Sequence, residues 1–182
     1  MAALLVILVI VIWLIWYYIS LNNKIVSLEE TVDNAWSDID VQLRLRFDLV
    51  DNLVETVKWY AKHEKSTFKE VVEARNRFTT ASDVKSAAEA DNMLTASLKS
   101  IFALAEAYPE LKSNENFLSL QTELSDIENK IASARRYFNA ATREFNTLIK
   151  QFPANVLFHK LPRDYFEGLE EAKTAPKVKF DD

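Results

Sequence analysis

The chain opens with an uninterrupted apolar run and continues with apolar positions at helical spacing. The run covers residues 2–19, reads AALLVILVIVIWLIWYYI, and contains no charge, proline or glycine. At about 1.5 Å per residue it extends about 27 Å as a helix, close to the thickness of a bilayer core. Trp16, Tyr17 and Tyr18 lie near its end, where amphipathic rings favour the headgroup level. The run predicts a transmembrane anchor within residues 1–22, with these three aromatics as interface anchors.

A cleaved signal peptide is the alternative for this run. Signal peptides carry a basic segment, a shorter apolar core and a small-x-small cleavage site. Only Met1 precedes the run here, and the YYISLNNK that follows contains no such site. We therefore expect an uncleaved single span. Lys24 on its C-terminal side favours a cytoplasmic body by the positive-inside count.

Beyond the span, apolar residues recur three and four apart, which is the spacing of a heptad helix. The first series, with a tryptophan beside it, comprises Ile25, Leu28, Val32, Ala35, Trp36 and Ile39. A four-residue step then shifts the register, and a second series runs from Phe47 to Phe78. No proline interrupts this stretch, so one helix is predicted over about residues 23–78. Arg75 falls on its seam and is a candidate partner for a carboxylate across the bundle.

Prolines divide the remainder of the chain. A second helix is predicted over about residues 84–107, ended by Tyr108-Pro109, because proline disfavours helical geometry in the residue before it. A third is predicted over about residues 114–152, with Asn114 as N-cap and Pro153 after its end.

The third helix has the most regular pattern. Every seventh residue from Phe117 to Phe152 is apolar, and so is the companion series from Leu120 to Leu148. Within it, the segment RYFN at residues 136–139 is echoed by REFN at residues 143–146. This echo is interpreted as the heptad itself.

The tail, residues 154–182, is mixed in character. Asp164 is a candidate cap for a short helix that extends to Ala172, and residues 176–180 have an extended pattern. Its aromatics are expected to dock on the bundle; they are Phe158, Tyr165, Phe166 and Phe180.

The predicted fold is all-α. A transmembrane helix is followed by an antiparallel bundle of three long helices, over residues 23–153, with coiled-coil-like packing and a short C-terminal helix. Gly168 is the only glycine, which argues against a fold rich in β-hairpins, whose tight turns use glycine.

Charge and cysteine content exclude several classes of partner. The net charge is −5, and the segment just after the span carries Glu29, Glu30, Asp33, Asp38 and Asp40. Such a surface repels phosphate, so neither nucleic acid nor a polybasic lipid site is expected. The absence of cysteine excludes disulfides and thiolate metal ligands.

No catalytic, cofactor or metal site is predicted. A carboxylate di-metal bundle needs Glu-x-x-His pairs, but Tyr60 and Val156 stand three residues before His63 and His159. A hydrolase nucleophile turn is also missing from the sequence. We therefore expect no enzymatic activity and no cofactor.

A polar face on the first helix is the one candidate interaction site of charged residues. Asp40, Arg44 and Asp48 are spaced four apart, and Asp51 lies one turn further. Pairing along the helix surface is the preferred interpretation, and a binding face for a basic partner is the alternative.

Helix lengths predict self-association. The first helix would extend about 88 Å, and the second only about 36 Å. With three helices the first and third are parallel, so residues 25–39 lack a partner within the chain. Their apolar face is the candidate homo-oligomer interface near the membrane. The alternative is a break near Asp40 that folds this segment back.

A resemblance to a known family rests on two long stretches. They read VDNAWSDIDVQLRLRFDLVDNLVETVKWYAKHEKSTFKEVVEARNRF and EAYPELKSNENFLSLQTELSDIENKIASARRYFNAATREFNTLIKQFPANVLF, the latter followed by YFE and PKVKF. Both resemble the motifs of the LemA family of bacterial membrane proteins. The resemblance implies one span in the bacterial cell membrane and a bundle of three or four helices, but no activity, since the biochemical function of that family is not established. The chain departs from the family pattern at Asp51, where proline is usual, and at Trp59, where glycine is common.

Two functions remain as expectations. The first is a membrane-anchored scaffold that self-associates and organises or shapes the membrane. The second is a monomeric, membrane-tethered adaptor that binds an unidentified protein in envelope sensing or signalling. A scaffold of the first kind needs residues 25–39 buried between copies, whereas an adaptor leaves them folded back or bare.

Overall fold

The computed structural model describes residues 1–62 and 64–167, and its regular elements are all helices. The helices are α1 (Ala2–Tyr60), α2 (Lys65–Thr80), α3 (Val84–Glu106), α4 (Pro109–Lys112), α5 (Glu115–Lys150) and α6 (Ala154–Leu157). Helices α4 and α6 are single turns. The prediction of an all-α fold with a long apolar N-terminal helix and a bundle is confirmed.

The chain reverses direction between α1 and α2. Lys58 Nζ lies 5.8 Å from the ring centroid of Phe68, and Phe47 stacks on Phe78 at 4.3 Å. The residues of α2 therefore descend α1 from its distal end, so the two helices are antiparallel. The prediction of a single helix over residues 23–78 is wrong.

The apolar heptad spacing continues across this turn, so the sequence did not reveal it. The reason is that α1 and α2 both face the same core. The core residues of α1 (Phe47 to Val57) and of α2 (Phe68 and Val71) are buried in the same cluster. The chain can then turn at Ala61 and Glu64 without proline or glycine, since the apolar spacing on each side is satisfied. The predicted ion pair of Arg75 is confirmed, because Arg75 Nη2 lies 2.8 Å from Asp51 Oδ2 across the hairpin.

The extra turn also reverses the direction of α5. Asn114, at the start of α5, hydrogen-bonds Tyr60 at the distal end of α1, while Phe138 packs on Trp36 much nearer the span. The body is thus an antiparallel four-helix bundle in which α5 returns along α1 toward the predicted span, and this end of the bundle is here called the membrane-proximal end. Helices α3 and α5 begin and end within two residues of the second and third predicted helices.

The core consists of two clusters stacked along the bundle. The distal cluster joins the outer half of α1 to α2, α3, α4 and the start of α5. The proximal cluster joins residues 25–43 of α1 to residues 127–149 of α5 and to Phe166 of the tail. The α5 heptad fills both clusters, except that Phe152 lies beyond the end of the helix and is 82% exposed.

Side-chain caps fix the starts of two long helices. Asp83 and Ser86 form a capping box at α3. Asn114 Oδ1 accepts the backbone N–H of Phe117 at 3.0 Å at the start of α5, as predicted from the sequence. Both caps satisfy backbone donors that have no partner inside the helix.

The tail differs from its prediction. Asp164 to Glu167 are not helical, so the short helix predicted to begin at Asp164 is wrong over these residues. The remainder of that helix and the extended segment at residues 176–180 lie outside the described residues.

Residues 2–19 form the exposed first third of α1. In the described part of the chain, α1 is the one helix long and apolar enough to cross a membrane. It continues without interruption through Asp51 to Tyr60. A backbone N–H at Asp51, in place of a proline, allows this continuity.

Candidate functional site: a groove that holds the C-terminal strap

Residues 158–167 form an extended segment, here called the strap, which lies along α1 and α5 at the proximal end of the bundle. Its first residue, Phe158, stacks on Tyr18 with ring centroids 5.1 Å apart. Near its other end, the ninth residue, Phe166, is fully buried, with 1% of its surface exposed. The surface that holds the strap, here called the groove, uses backbone, aromatic and charged contacts.

Two asparagines of α5 bind the strap through its main chain. Asn146 Nδ2 donates to the carbonyl of Arg163 at 2.8 Å, and the N–H of Arg163 donates to Asn146 Oδ1 at 2.8 Å. Asn139 makes the same two bonds with Phe166, at 3.0 and 2.9 Å. Each amide thus pairs with both polar groups of one residue, as a neighbouring strand would.

The spacing of these asparagines matches an extended chain. Seven residues of helix advance about 10.5 Å, and the step from Arg163 to Phe166 advances about 10 Å in extended conformation. One heptad of α5 therefore equals three residues of strap. Because Asn146 pairs with the earlier strap residue, the strap runs antiparallel to α5 and away from the membrane-proximal end.

An aromatic and cationic pocket holds Phe166. The Trp36 ring lies 6.2 Å from it, and the Arg135 guanidinium carbon lies 4.9 Å from its centroid. Trp36 also packs against Phe138 at 5.9 Å, which fixes the orientation of the pocket wall. A large planar side chain is required to fill this site.

Carboxylates of α1 hold the basic residues of the strap. Lys160 Nζ donates to Glu29 Oε2 at 2.6 Å, and Arg163 Nη2 lies 3.4 Å from Glu29 Oε1 and 3.3 Å from Asp33 Oδ1. The hydrogen bond from Lys160 lowers the pKa of Glu29 below its ordinary value of 4.5; partial burial opposes this, and the charges of Lys160 and Arg163 reinforce it. Two residues of the acidic segment after residues 2–19, Glu29 and Asp33, thus hold the two basic residues of the strap.

Acid is expected to loosen the strap. Since the pKa of Glu29 is lowered in the folded chain, its ionised form stabilises the strap above about pH 4.5. That contribution is lost as the pH falls through the lowered pKa, because protonation removes the charge that Lys160 and Arg163 contact. Hydrogen exchange of the Arg163 amide, corrected for its intrinsic pH dependence, should therefore accelerate below pH 4.5. The variant Glu29→Gln should lack this acid-dependent step; an unchanged step would assign it to another group.

A buried charged layer adjoins the groove between the two core clusters. Asp91, 1% exposed, hydrogen-bonds Arg46 through Oδ1 and Arg135 through Oδ2, the latter at 3.1 Å. Arg46 also lies 2.7 Å from Glu128 and donates to Thr95 at 3.1 Å. Burial raises the pKa of Asp91, and the two guanidinium groups oppose that rise. Because Arg135 also covers Phe166, the layer is connected to the pocket.

Comparison with known proteins identifies the family. The family model described as "LemA family" matches residues 35–180. The chain belongs to the LemA family. Its membership and the exposed apolar helix make it a membrane-associated protein.

The LemA-family chain is also similar to curated magnetosome proteins. It is 27% identical over 161 residues to Magnetosome protein MamQ of Magnetospirillum gryphiswaldense, an alignment that covers 74% of this chain and 59% of that protein. Magnetosome proteins MamQ 1 and MamQ 2 of Paramagnetospirillum magneticum are each 26% identical with the same coverage. The chain therefore spans less than two thirds of the length of these relatives.

The predicted self-association face lies inside this LemA-family bundle. Leu28 and Trp36 are partly buried against the proximal cluster. The other four residues are buried within it: Ile25, Val32, Ala35 and Ile39. The premise that this segment lacks a partner within the chain is wrong, because α5 returns along it. No break near Asp40 occurs either, since α1 is continuous there.

The predicted polar face is occupied by local pairing. Arg44 Nε donates to Asp40 Oδ2 at 2.8 Å, and Asp51 pairs with Arg75. Asp48 is exposed. The preferred interpretation, helix-surface pairing, describes these contacts, and a role for this face in binding a partner stays a prediction.

The three aromatics predicted as interface anchors make different contacts in the structure. Trp16 is exposed and Tyr17 stacks on Trp13 at 5.7 Å. Tyr18 instead contacts Phe158 of the strap, so it joins the span to the body. Among the described residues, no group of three or more potential ligands could hold a metal ion. His159 is exposed, and His63 lies outside the described residues.

The strap groove is the feature that sequence reasoning missed. The sequence feature that could have revealed the groove is the repeated RYFN and REFN. Its phenylalanines, Phe138 and Phe145, are heptad core residues, as predicted. The heptad gives no role to the asparagine after each phenylalanine, although a polar residue beside a buried seam at fixed spacing requires a partner. That partner is the backbone of the strap.

Proposed function

We propose that this chain is a single-pass membrane protein that acts as a non-enzymatic adaptor, and that its groove binds an extended polypeptide segment close to the bilayer. In the described state its own strap fills the groove. A partner segment with the same chemistry would displace the strap and become tethered to the membrane. Residues 2–19 would form the uncleaved span, with a cytoplasmic body as expected from Lys24.

The observation that carries this proposal is the pairing of Asn139 and Asn146 with the strap backbone. Contacts of this kind recognise an extended main chain whatever its side chains, and the flanking pockets then supply selectivity. The pockets select a basic residue, now Arg163, followed three positions later by an aromatic, now Phe166. The ligand class is therefore an extended protein segment with a basic-x-x-aromatic motif.

Burial of residues 25–39 supports the adaptor over the self-associating scaffold. The sequence argument for a scaffold required that face to be free, and α5 covers it within the chain. The groove then supports recognition, because it already holds an extended segment through backbone contacts. The match to the LemA family and the similarity to magnetosome proteins support a non-enzymatic membrane role.

A synthetic peptide with the sequence of residues 158–167 tests the proposal. It is titrated by fluorescence anisotropy into the full chain in nanodiscs, in wild type and in the variant Phe166→Ala, whose own strap is weakened. We expect the variant to bind at least about tenfold more tightly, because occupancy by the internal strap lowers the apparent affinity by the open fraction. A peptide that lacks the phenylalanine should not bind.

Variants of the groove provide the matched controls. Adding Asn139→Ala and Asn146→Ala to Phe166→Ala should weaken peptide binding by at least about tenfold, since up to four hydrogen bonds are lost. Asn129→Ala, an exposed asparagine on the same helix, should leave binding unchanged. If the peptide fails to bind Phe166→Ala, or binds equally well without the two asparagines, the groove is not a peptide site.

The second candidate is a scaffold that organises or shapes the membrane. In this case copies would associate by placing the strap of one chain in the groove of another. It is favoured by the observation that the groove ligand is a segment of this same chain. Light scattering of the wild-type protein in detergent separates the two functions. A monomer supports the adaptor, whereas a homo-oligomer that dissociates in Phe166→Ala supports strap exchange.

A further inference from the structure

The chain exposes three large apolar side chains immediately after α5. Phe152 is 82% exposed, Val156 is 62% exposed and Leu157 is 45% exposed. We call these three residues the apolar patch. Ala154, between them, is buried in the proximal core and fixes α6 to the bundle. The patch is thus held in place by the fold while its own side chains face outward.

The return of α5 places this patch beside the end of the span. Leu148 and Gln151 line one surface depression with Lys24 and Leu28, so the last turn of α5 lies level with the first residues after the span. Just beyond the patch, Phe158 stacks on Tyr18, a residue of the predicted interface belt. Residues 152–157 therefore lie at the height of the headgroups when residues 2–19 are in the bilayer.

Leu161 shows where this surface ends. It is 84% exposed, but it follows Lys160, which bonds Glu29 about 15 Å of helix beyond Ile19. At Leu161 the strap therefore lies well beyond the end of the proposed span. Leu161 is consequently not part of the patch.

We infer that the apolar patch inserts into the headgroup region of the bilayer and gives the bundle a second membrane contact beside its span. The occupant is lipid because the patch is continuous with the membrane surface through Tyr18. Apolar side chains that lie in the interface plane gain by entering the boundary between headgroups and acyl chains. Insertion of this kind depends on apolar area, so it does not require anionic lipid. The inference rests on the proposed span at residues 2–19.

Single-cysteine labelling tests the contact, since the chain contains no cysteine of its own. Val156→Cys is labelled with an environment-sensitive fluorophore in the full chain, reconstituted in phosphatidylcholine nanodiscs with or without doxyl-labelled lipid. Ile10→Cys, within the span, is the positive control. Leu118→Cys is the negative control, because Leu118, 45% exposed, is apolar surface at the opposite end of α5.

The label at position 156 is expected to lose about half of its emission with lipid spin-labelled near the headgroup, and the label at position 118 none. Quenching at position 10 but not at position 156 would overturn the second contact and leave the span intact. Absence of quenching at position 10 by lipid spin-labelled deep in its acyl chains would overturn the span itself and, with it, the contact. A label at position 156 that is shielded from aqueous iodide yet not quenched by doxyl lipid would mean that a second protein copy covers the patch, which also overturns the inference.

Discussion

Replacing Asp91 by alanine is expected to lower the free energy of unfolding by about 3–5 kcal/mol. Asp91 is buried between Arg46 and Arg135, and its removal leaves the buried Arg46 with Glu128 as its one remaining carboxylate in the layer. A buried guanidinium that loses its fully buried carboxylate partner is costly, because the low-dielectric interior cannot replace the water it has lost and the half-exposed Glu128 offsets only part of this cost. Urea unfolding of the full chain in detergent, followed by circular dichroism, measures the change.

Two variants make this result specific to the buried layer. Arg44→Ala removes the exposed pair with Asp40 and should cost less than about 1 kcal/mol. Arg46→Met combined with Asp91→Leu removes both buried charges and should cost less than Asp91→Ala alone, since Glu128 and Arg135 retain contact with solvent. A cost for Asp91→Ala no greater than that for Arg44→Ala would show that the layer contributes no net stability.

The variant Phe166→Ala is expected to release the strap at a cost of about 3–5 kcal/mol of its docking free energy. The side chain is fully buried against Trp36 and Arg135, so truncation leaves a cavity in addition to the lost apolar contact. Hydrogen exchange of the amide of Arg163, which donates to Asn146, should accelerate by at least about a hundredfold.

The neighbouring Tyr165 supplies the control. It is 42% exposed, and Tyr165→Ala should change the exchange of the Arg163 amide by less than about fivefold. Amides in the middle of α5 should be unaffected in both variants, because the strap is a local unit. If Phe166→Ala instead accelerates exchange throughout α5, the strap belongs to the global folding unit and its independent release is wrong.

The helices of the body were largely predictable, and their directions were not. Heptad spacing and proline positions located α3 and α5 because helix formation depends on local pattern and local breakers. The turn after Tyr60 contains neither glycine nor proline, so its cause lies in the packing of Phe78 against the buried Phe47 rather than in the adjacent residues. One missed turn reverses every later helix, and this is why residues 25–39 were expected to be free.

The groove was predictable only in part, for a related reason. The phenylalanines at positions 138 and 145 follow from periodicity, whereas the partners of Asn139 and Asn146 lie in a segment with no periodic pattern. Hydrogen bonds to an extended backbone do not depend on which side chains that backbone carries. Single-sequence reasoning can identify the two amides as unsatisfied, but it cannot identify the strap that satisfies them.

The continuity of α1 gives the molecule a mechanical property. One helix of 59 residues joins the apolar run at residues 2–19 to Tyr60, so no break in the helix separates the proposed span from the far end of the body. With Tyr60 about 60 Å beyond the span, a tilt of about 20°, typical of transmembrane helices, displaces it sideways by about 20 Å. Trp59, 77% exposed at that end, would move with it. With residues 2–19 as the proposed span, a change in bilayer thickness that alters helix tilt would therefore move the whole body sideways.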